Sequence, residues 1–451
     1  MTRHALRLLL AIAASLLAAC ASNNDRQASA ANPTPASSPC PAGLPEGTRC
    51  YGGQDEAGAF YWVAIPADWN RVLVMHAHGG PTLGAPTQAR VTEDLQRWAV
   101  TLRAGYAWAG SSYRRSGYGV TMAGEDTERL RQWFVAHFGT PRRTLLHGQS
   151  YGAGVAAKAA ERYATVDGRP GPYDGLLLTS GVIGGGIRNY DFRLDLRVVY
   201  QYVCNNHPRP NEQAYPLWQG LPADSKLDRA QLRARIDECT GVSRPPAQRT
   251  AQQRANLKTI LDTIGIQERS LDGHMQWATF MFRDMVQKRL DGRNPFGNVG
   301  AVYAGARDDA QLNANVQRFR ADPAAVAALA ADSDPDGRVG VPTLNLHAID
   351  DPTAFVELES TYRAVRERAG TDALLVQTFS REAEHSYLSD PEYATLFAAL
   401  LDWIDHGRKP TPESIAAQCK SFEARFGPGC FFDAGFRPGP LSARVPARDA
   451  P

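Results

Sequence analysis

Four absences narrow the chemistry before any motif is read. The 451 residues lack a charge excess: 49 Lys and Arg stand against 47 Asp and Glu, a formal net charge of +2. That balance offers no basic footprint for a nucleic-acid backbone. Metal-ligand spacing is missing too. The 7 cysteines form no CxxC pair and no histidine cluster accompanies them, so no metal site is expected. Internal repeats are absent, and beyond the N-terminus no apolar run is long enough to span a bilayer. What remains is 43% hydrophobic and 21% charged, the balance of a globular core. The length admits one large catalytic domain with an insertion, or two smaller domains. A small molecule or an uncharged polymer is the expected substrate class.

Residues 1–20 read as an export signal. Arg3, His4 and Arg7 form a basic region before an apolar run at 8–19, too short to cross a membrane. The run closes on Leu17-Ala18-Ala19-Cys20. That tetrapeptide resembles the bacterial lipobox, which implies lipidation of Cys20 and anchoring at a membrane. An ordinary signal peptide, with Cys20 incidental, is the alternative. Ala21 and Ser22 follow the cysteine rather than an aspartate, and by the same resemblance the outer membrane is the expected site, its face undetermined. Residues 21–39 are rich in Ala, Ser, Asn and Pro, a composition that suits a flexible tether. Export implies an oxidising compartment, and six cysteines remain once Cys20 is set aside. Local loops favour the pairs Cys40–Cys50, Cys204–Cys239 and Cys419–Cys430.

Continuous apolar runs at 59–66, 71–76, 106–111, 143–147 and 175–180 predict strands. Helical spacing falls between them, over 91–103, 126–138 and 155–163. Unbroken runs separated by helices indicate a parallel sheet covered on both faces. This first part of the core spans 40–186. From 187 to 330 the pattern is helical and strand-free, as expected of a cap inserted into the sheet domain. Strand and helix alternate again over 331–409. The tail, 410–451, carries two cysteines and many prolines and reads as a covering segment without regular structure.

The chemistry concentrates at Gly148-Gln149-Ser150-Tyr151-Gly152, a G-x-S-x-G between a predicted strand and a predicted helix. A turn this tight needs glycine on either side of the serine, and it lifts the side chain off the sheet edge. The N–H of Tyr151 then points to where an oxyanion would form. Serine is a weak nucleophile without a base, and the base needs an orienting acid. Downstream, a predicted strand runs into Ile349-Asp350-Asp351-Pro352, and a later one into a loop bearing His385. Both lie at the strand ends where ligands bind. His78-Gly79-Gly80-Pro81 follows an early strand, and Gly80, with Gly79 next, is the second candidate oxyanion donor.

Together these segments resemble the α/β-hydrolase superfamily, in its exported esterase and prolyl-oligopeptidase-like branches. The segment from Pro342 to Pro352 is similar to the family's acid motif. Residue-by-residue matching implies that the acid is Asp351, with Asp350 the rival and Ala348 in place of the usual glycine. The resemblance implies an α/β-hydrolase fold with a helical cap, a Ser150–His385–Asp351 triad, and no cofactor. Carboxylic ester hydrolysis is the first expectation; a peptidase or amidase with the same triad is the second. Tyr113, Arg114 and Arg115, on the turn after the third predicted strand, are candidates for contact with a substrate. Trp218, Trp277, Phe280, Met281 and Phe282 are apolar cap candidates. His347, on a strand, reads as a packing residue. Asp332-Ser333-Asp334-Pro335-Asp336-Gly337 imitates the start of a calcium loop but lacks the glutamate that would complete it, and reads as a solvated turn. No obligate protein partner is expected.

Overall fold

The computed structural model describes residues 35–166 and 169–448. The signal segment, Cys20 and residues 21–34 of the tether lie outside the described residues. Eight strands make one sheet: β1 (Arg49–Gln54), β2 (Phe60–Ile65), β3 (Val72–Ala77), β4 (Ala107–Ser111), β5 (Arg143–Gln149), β6 (Gly175–Thr179), β7 (Thr343–Ala348) and β8 (Leu375–Ser380). Their order across the sheet is β1-β2-β4-β3-β5-β6-β7-β8. Strands β3 to β8 run parallel, and β2 is antiparallel to both of its neighbours, β1 and β4. Every residue of β3, β4, β6, β7 and β8 is buried. Such unbroken runs need cover on both faces. Leu73, Met75 and Leu146 pack on one side with α2 (Val120–Phe138) and α3 (Tyr151–Tyr163), which follow α1 (Gln88–Arg97). Val72, Val74 and Leu145 pack on the other side with the late helix Asp390–His406. A mostly parallel sheet flanked in this way, with a serine turn at the end of β5, is the α/β-hydrolase fold.

The expected sheet was mostly parallel, as found, but lacked β1. Its glycines conceal β1 in sequence. Gly52 and Gly53 sit opposite Trp62 and Tyr61, and a Cβ at Gly52 would meet the Trp62 ring at 2.7 Å. The positions are empty so that aromatic rings can lie across them. The predicted helix 91–103 is two pieces, α1 and the short turn Val100–Arg103. Helix α2 starts earlier than its apolar spacing suggests. The Asp332 carboxylate accepts the Val120 and Thr121 N–H groups at 2.9 and 3.1 Å, a cap supplied by a residue more than 200 positions away. The calcium-like acidic run thus serves a helix end. Among the described residues no cluster of ligating side chains could hold a metal.

After β6 the chain leaves the sheet, and it returns at β7. The intervening helices are α4 (Phe192–Cys204), α5 (Arg229–Thr240), α6 (Ala251–Ile264), α7 (Leu271–Gln276), α8 (Phe282–Arg289), α9 (Asp309–Asn315) and α10 (Pro323–Ser333). Asp228 and Thr250 form capping boxes at the starts of α5 and α6, and the left-handed Gly241 and Gly265 close their ends. A π-turn, Trp277–Met281, joins α7 to α8. Helix α11 (Leu358–Arg368) follows β7, and α12 (Asp390–His406) follows β8.

The tail corrects an expectation. It contains α13 (Pro412–Phe426), packed on α12. Thr411 caps it, Pro412 occupies its first position, and Ile415 and Cys419 are buried. The prolines elsewhere in the tail mask this start signal. Disulfides join Cys40 to Cys50, Cys204 to Cys239 and Cys419 to Cys430. No helix of the described residues is long and apolar enough to cross a membrane.

The remote cap on α2 makes a simple prediction. Asp332→Ala should cost about 1–2 kcal/mol, the usual range for a lost N-cap, and lower the thermal midpoint accordingly. An unchanged midpoint in a circular-dichroism melt would show that water replaces the carboxylate.

Candidate active site

Sterics shape the turn that carries Ser150. A Cβ at Gly148 would overlap the Gly152 carbonyl, and one at Gly152 would overlap the Ala77 carbonyl at the end of β3. Only glycine permits this crossing of turn and strand. Ser150 itself sits at φ 58°, ψ −123°, a conformation that non-glycine residues rarely adopt. Its N–H donates to the Thr179 carbonyl and its own carbonyl accepts from Val182, at 2.9 and 3.1 Å. Neighbouring chain therefore holds the strained residue from both sides.

The Ser150 Oγ–H donates to His385 Nε2 at 2.7 Å, and His385 Nδ1–H donates to Asp351 Oδ2 at 2.8 Å. Asp351 alone could not keep its place. Its Oδ1 also accepts the N–H groups of Thr353 and Ala354 at 2.7 and 2.9 Å. Asp350, the rival, points into solvent, and its carbonyl accepts from Gln267 and Arg269 of the cap. Arg269 also donates to the Ala383 carbonyl. One cap side chain thereby clamps the acid loop to the histidine loop.

His347 occupies a place that the sequence did not reveal. Its ring is fully buried. Nδ1 stands 3.0 Å from Glu359 Oε1, and Nε2 stands 3.1 Å from the Ala354 carbonyl and 3.5 Å from Asp351 Oδ2. Both nitrogens face oxygens that only accept, so both carry protons. Burial alone would lower the His347 pKa; the contacts with Asp351 and Glu359 outweigh it and raise the value to about 10. Glu359 is fixed in turn by the side-chain amides of Asn345 and Gln377, at 2.6 and 2.7 Å. Burial would raise the Asp351 pKa, but the two histidines hold it well below the usual carboxylate range. The acid therefore stays ionised behind His385.

Tyr151 is the first residue of α3, so its N–H has no partner inside the helix. Gly80 lines the same cavity as Ser150. Gly79 stands behind it against Gln149, and its carbonyl accepts from Arg90 at 3.1 Å. The three early substrate candidates have other partners. Tyr113 is buried, stacked on His78 with ring centroids 4.1 Å apart, and braces the glycine loop. Arg114 pairs with Glu125 and Asp126, each at 2.7 Å. Arg115 donates to the Tyr118 carbonyl at 3.4 Å. None of the three lines the Ser150 cavity. Of the apolar cap candidates, Trp277 does line it. Phe282 stacks on Phe296 inside the cap, Met281 is buried there, and Trp218 and Phe280 pack against the same core.

The cavity at Ser150 is small and partly open to solvent. Gly80 and Ser150 form its floor residues from the core. Tyr190, Phe192, Arg193 and Trp277 come from the cap segment, and Thr353, Ala354 and Phe355 from the loop after the acid.

No protein-family model and no curated sequence matches the chain. Solved structures with a similar chain path are enzymes. An esterase from Aspergillus oryzae aligns at TM-score 0.44 and 13% identity, over 80% of this chain and 80% of that one. Feruloyl esterase B from Aspergillus oryzae aligns at 0.42 and 12%, again over 80% of each chain. An acylaminoacyl peptidase aligns at 0.37 and 9%, over 80% of this chain and 41% of that one. At such scores and identities these likenesses carry nothing about the reaction.

The charge on His347 can be tested through stability. Its folded pKa of about 10 lies above the ordinary value of 6.5. The folded state therefore binds the proton more tightly, and that stabilisation is lost as pH rises through the folded value. The gap in thermal midpoint between the wild type and His347→Gln should be at its full width at and just below pH 6.5 and close as pH rises towards 10. A gap independent of pH would mean that the ring acts by packing alone.

Proposed function

We propose that the protein is a serine hydrolase that cleaves a carboxylic ester through an acyl-enzyme on Ser150. The hydrogen-bonded line Ser150–His385–Asp351 is the observation that carries this reading. His385 Nε2 accepts the Ser150 proton as Oγ attacks the acyl carbon. Asp351 fixes the ring with Nδ1 protonated and stabilises the imidazolium that forms. The Tyr151 and Gly80 N–H groups receive the charge that develops on the acyl oxygen. His385 then protonates the departing alkoxide. In the second half-reaction it activates water against the acyl-enzyme and returns the proton to Ser150. These steps use only groups of this chain.

The lining of the cavity favours an ester over an N-terminal peptide substrate. A peptidase that trims from the amine end needs a carboxylate to hold the substrate ammonium. Among the described residues that line the cavity there is none. Two carboxylates of the cap, Glu212 and Asp237, are committed elsewhere: Glu212 pairs with Arg235 and Asp237 with Arg244. We propose in addition that the enzyme works outside the cytoplasm, tethered through a lipid on Cys20. Three disulfides in one chain support an oxidising compartment.

A fluorophosphonate probe should label Ser150 in the folded protein, and Ser150→Ala should abolish both labelling and turnover. Asp351→Asn should lower kcat by about 10⁴-fold, the scale on which a triad acid matters, while Asp350→Asn should leave it near wild type. Kinetics on p-nitrophenyl esters and aminoacyl anilides decide the bond cleaved. Anilide turnover that matches or exceeds ester turnover would sink the ester reading.

A further inference from the structure

The cavity that contains Ser150 also contains a cation without a matching anion. Arg193, in the first turn of α4, is 3% exposed and lines the cavity with Ser150 and Gly80. Its Nη1 donates to the Asn189 carbonyl at 3.0 Å, and Nη2 reaches the Thr353 carbonyl only at 3.5 Å. Nε is buried with no partner. The rings of Phe192, Trp277 and Tyr190 stand 4.5, 5.0 and 5.4 Å from the guanidinium carbon. Among the described residues no carboxylate forms an ion pair with it. The adjacent Asp191 pairs with Arg188 at 2.5 Å, and Arg448 pairs with Asp191 and Asp195. Burial lowers the Arg193 pKa to about 10, which leaves it charged at neutral pH.

A guanidinium taken out of water without a counter-charge is costly. Aromatic faces offset part of that cost, and a bound anion offsets the rest. Val182, Ala354, Phe355 and Leu358 give the cavity apolar wall, beside Asn189 and Thr353. The site thus joins a short apolar slot, one unmatched positive charge and a nucleophile.

We propose that Arg193 recognises a carboxylate on the substrate, so that the ester cleaved at Ser150 is a short-chain half-ester of a dicarboxylic acid. The proposal rests on the serine-hydrolase reading given above and names its substrate class. A single negative charge fits better than a phosphate, whose second charge would need a second free cation. Arg188 also lines the cavity, but its charge is already matched by Asp191. The carbonyl contacts of Arg193 hold its ring-stacked side chain in place, and Nε is the guanidinium N–H without a protein partner.

Monoethyl glutarate and ethyl pentanoate form a matched pair, one anionic and one neutral. Hydrolysis of each by the purified chain gives kcat/KM. The wild type should favour the anionic ester by about tenfold or more, the scale of one charge-assisted hydrogen bond. Free glutarate should inhibit ethyl pentanoate hydrolysis competitively. In Arg193→Met the loss should fall about tenfold more heavily on the anionic ester, and Arg193→Lys should recover part of the preference. Equal use of the two esters by the wild type, with no inhibition by glutarate, would overturn the proposal. So would a proportional loss on both esters in Arg193→Met, which is the signature of a merely structural arginine. Should that variant not fold, the wild-type preference and the glutarate inhibition decide the matter without it. Failure of fluorophosphonate labelling at Ser150 is a separate result, and it would remove the serine-hydrolase reading together with this one.

Discussion

The crossing of the β5–α3 turn over the end of β3 leaves no space for a side chain at Gly148 or Gly152. Everything at the site depends on that contact. It forces Ser150 into a strained backbone conformation and aims its side chain away from the sheet. It also places the N-terminus of α3 next to the glycine loop after β3. The strain is sustained because β6, through Thr179, and the segment after it, through Val182, hydrogen-bond the serine backbone on both sides. The parallel sheet is therefore the support of the turn as well as the core of the protein.

A second organising interaction lies on the acid side. Asp351 sits between two histidines with opposite duties. His385 faces the serine and accepts its hydroxyl hydrogen bond. His347 faces inward and is held cationic by Glu359 and Asp351. A buried carboxylate with only one histidine partner would be drawn towards its neutral form by desolvation. The cationic His347, together with the Thr353 and Ala354 N–H groups, keeps it ionised and fixed. Glu359, Asn345 and Gln377 extend this buried polar network across β7, β8 and α11. Such a network stabilises only when each member is satisfied.

The cap brings a different chemistry to the same place. Its π-turn presents Trp277, and the first turn of α4 presents Arg193, to a cavity whose floor is the serine turn. Arg269, at the other edge of the cap, ties together the loops that carry the acid and the histidine. The cap and the triad are thus mechanically linked.

Local features were legible in the sequence because they are local in cause. A G-x-S-x-G between an apolar run and a helical stretch encodes a turn whose sterics involve five consecutive residues. Unbroken apolar runs encode strands buried on both faces. A carboxylate and a histidine after late strands encode positions at one sheet edge. What escaped the sequence depends on partners far away in the chain. Strand β1 was hidden by glycines that serve the rings of Trp62 and Tyr61. The start of α2 was hidden because its cap is Asp332. Tyr113 and Arg114 follow a strand that borders the site, yet stacking on His78 and pairing with Asp126 decide where they point. The charge of His347 depends on Glu359, twelve positions later and on another element. The exposure of Arg193 to the serine cavity depends on the fold of the whole cap. The sequence by itself determined the strand–turn–helix unit and the order of its chemistry, since short-range sterics and periodicity suffice for both. Only the tertiary structure decided which charges are matched and which are left open, because electrostatic pairing is set by distance in space.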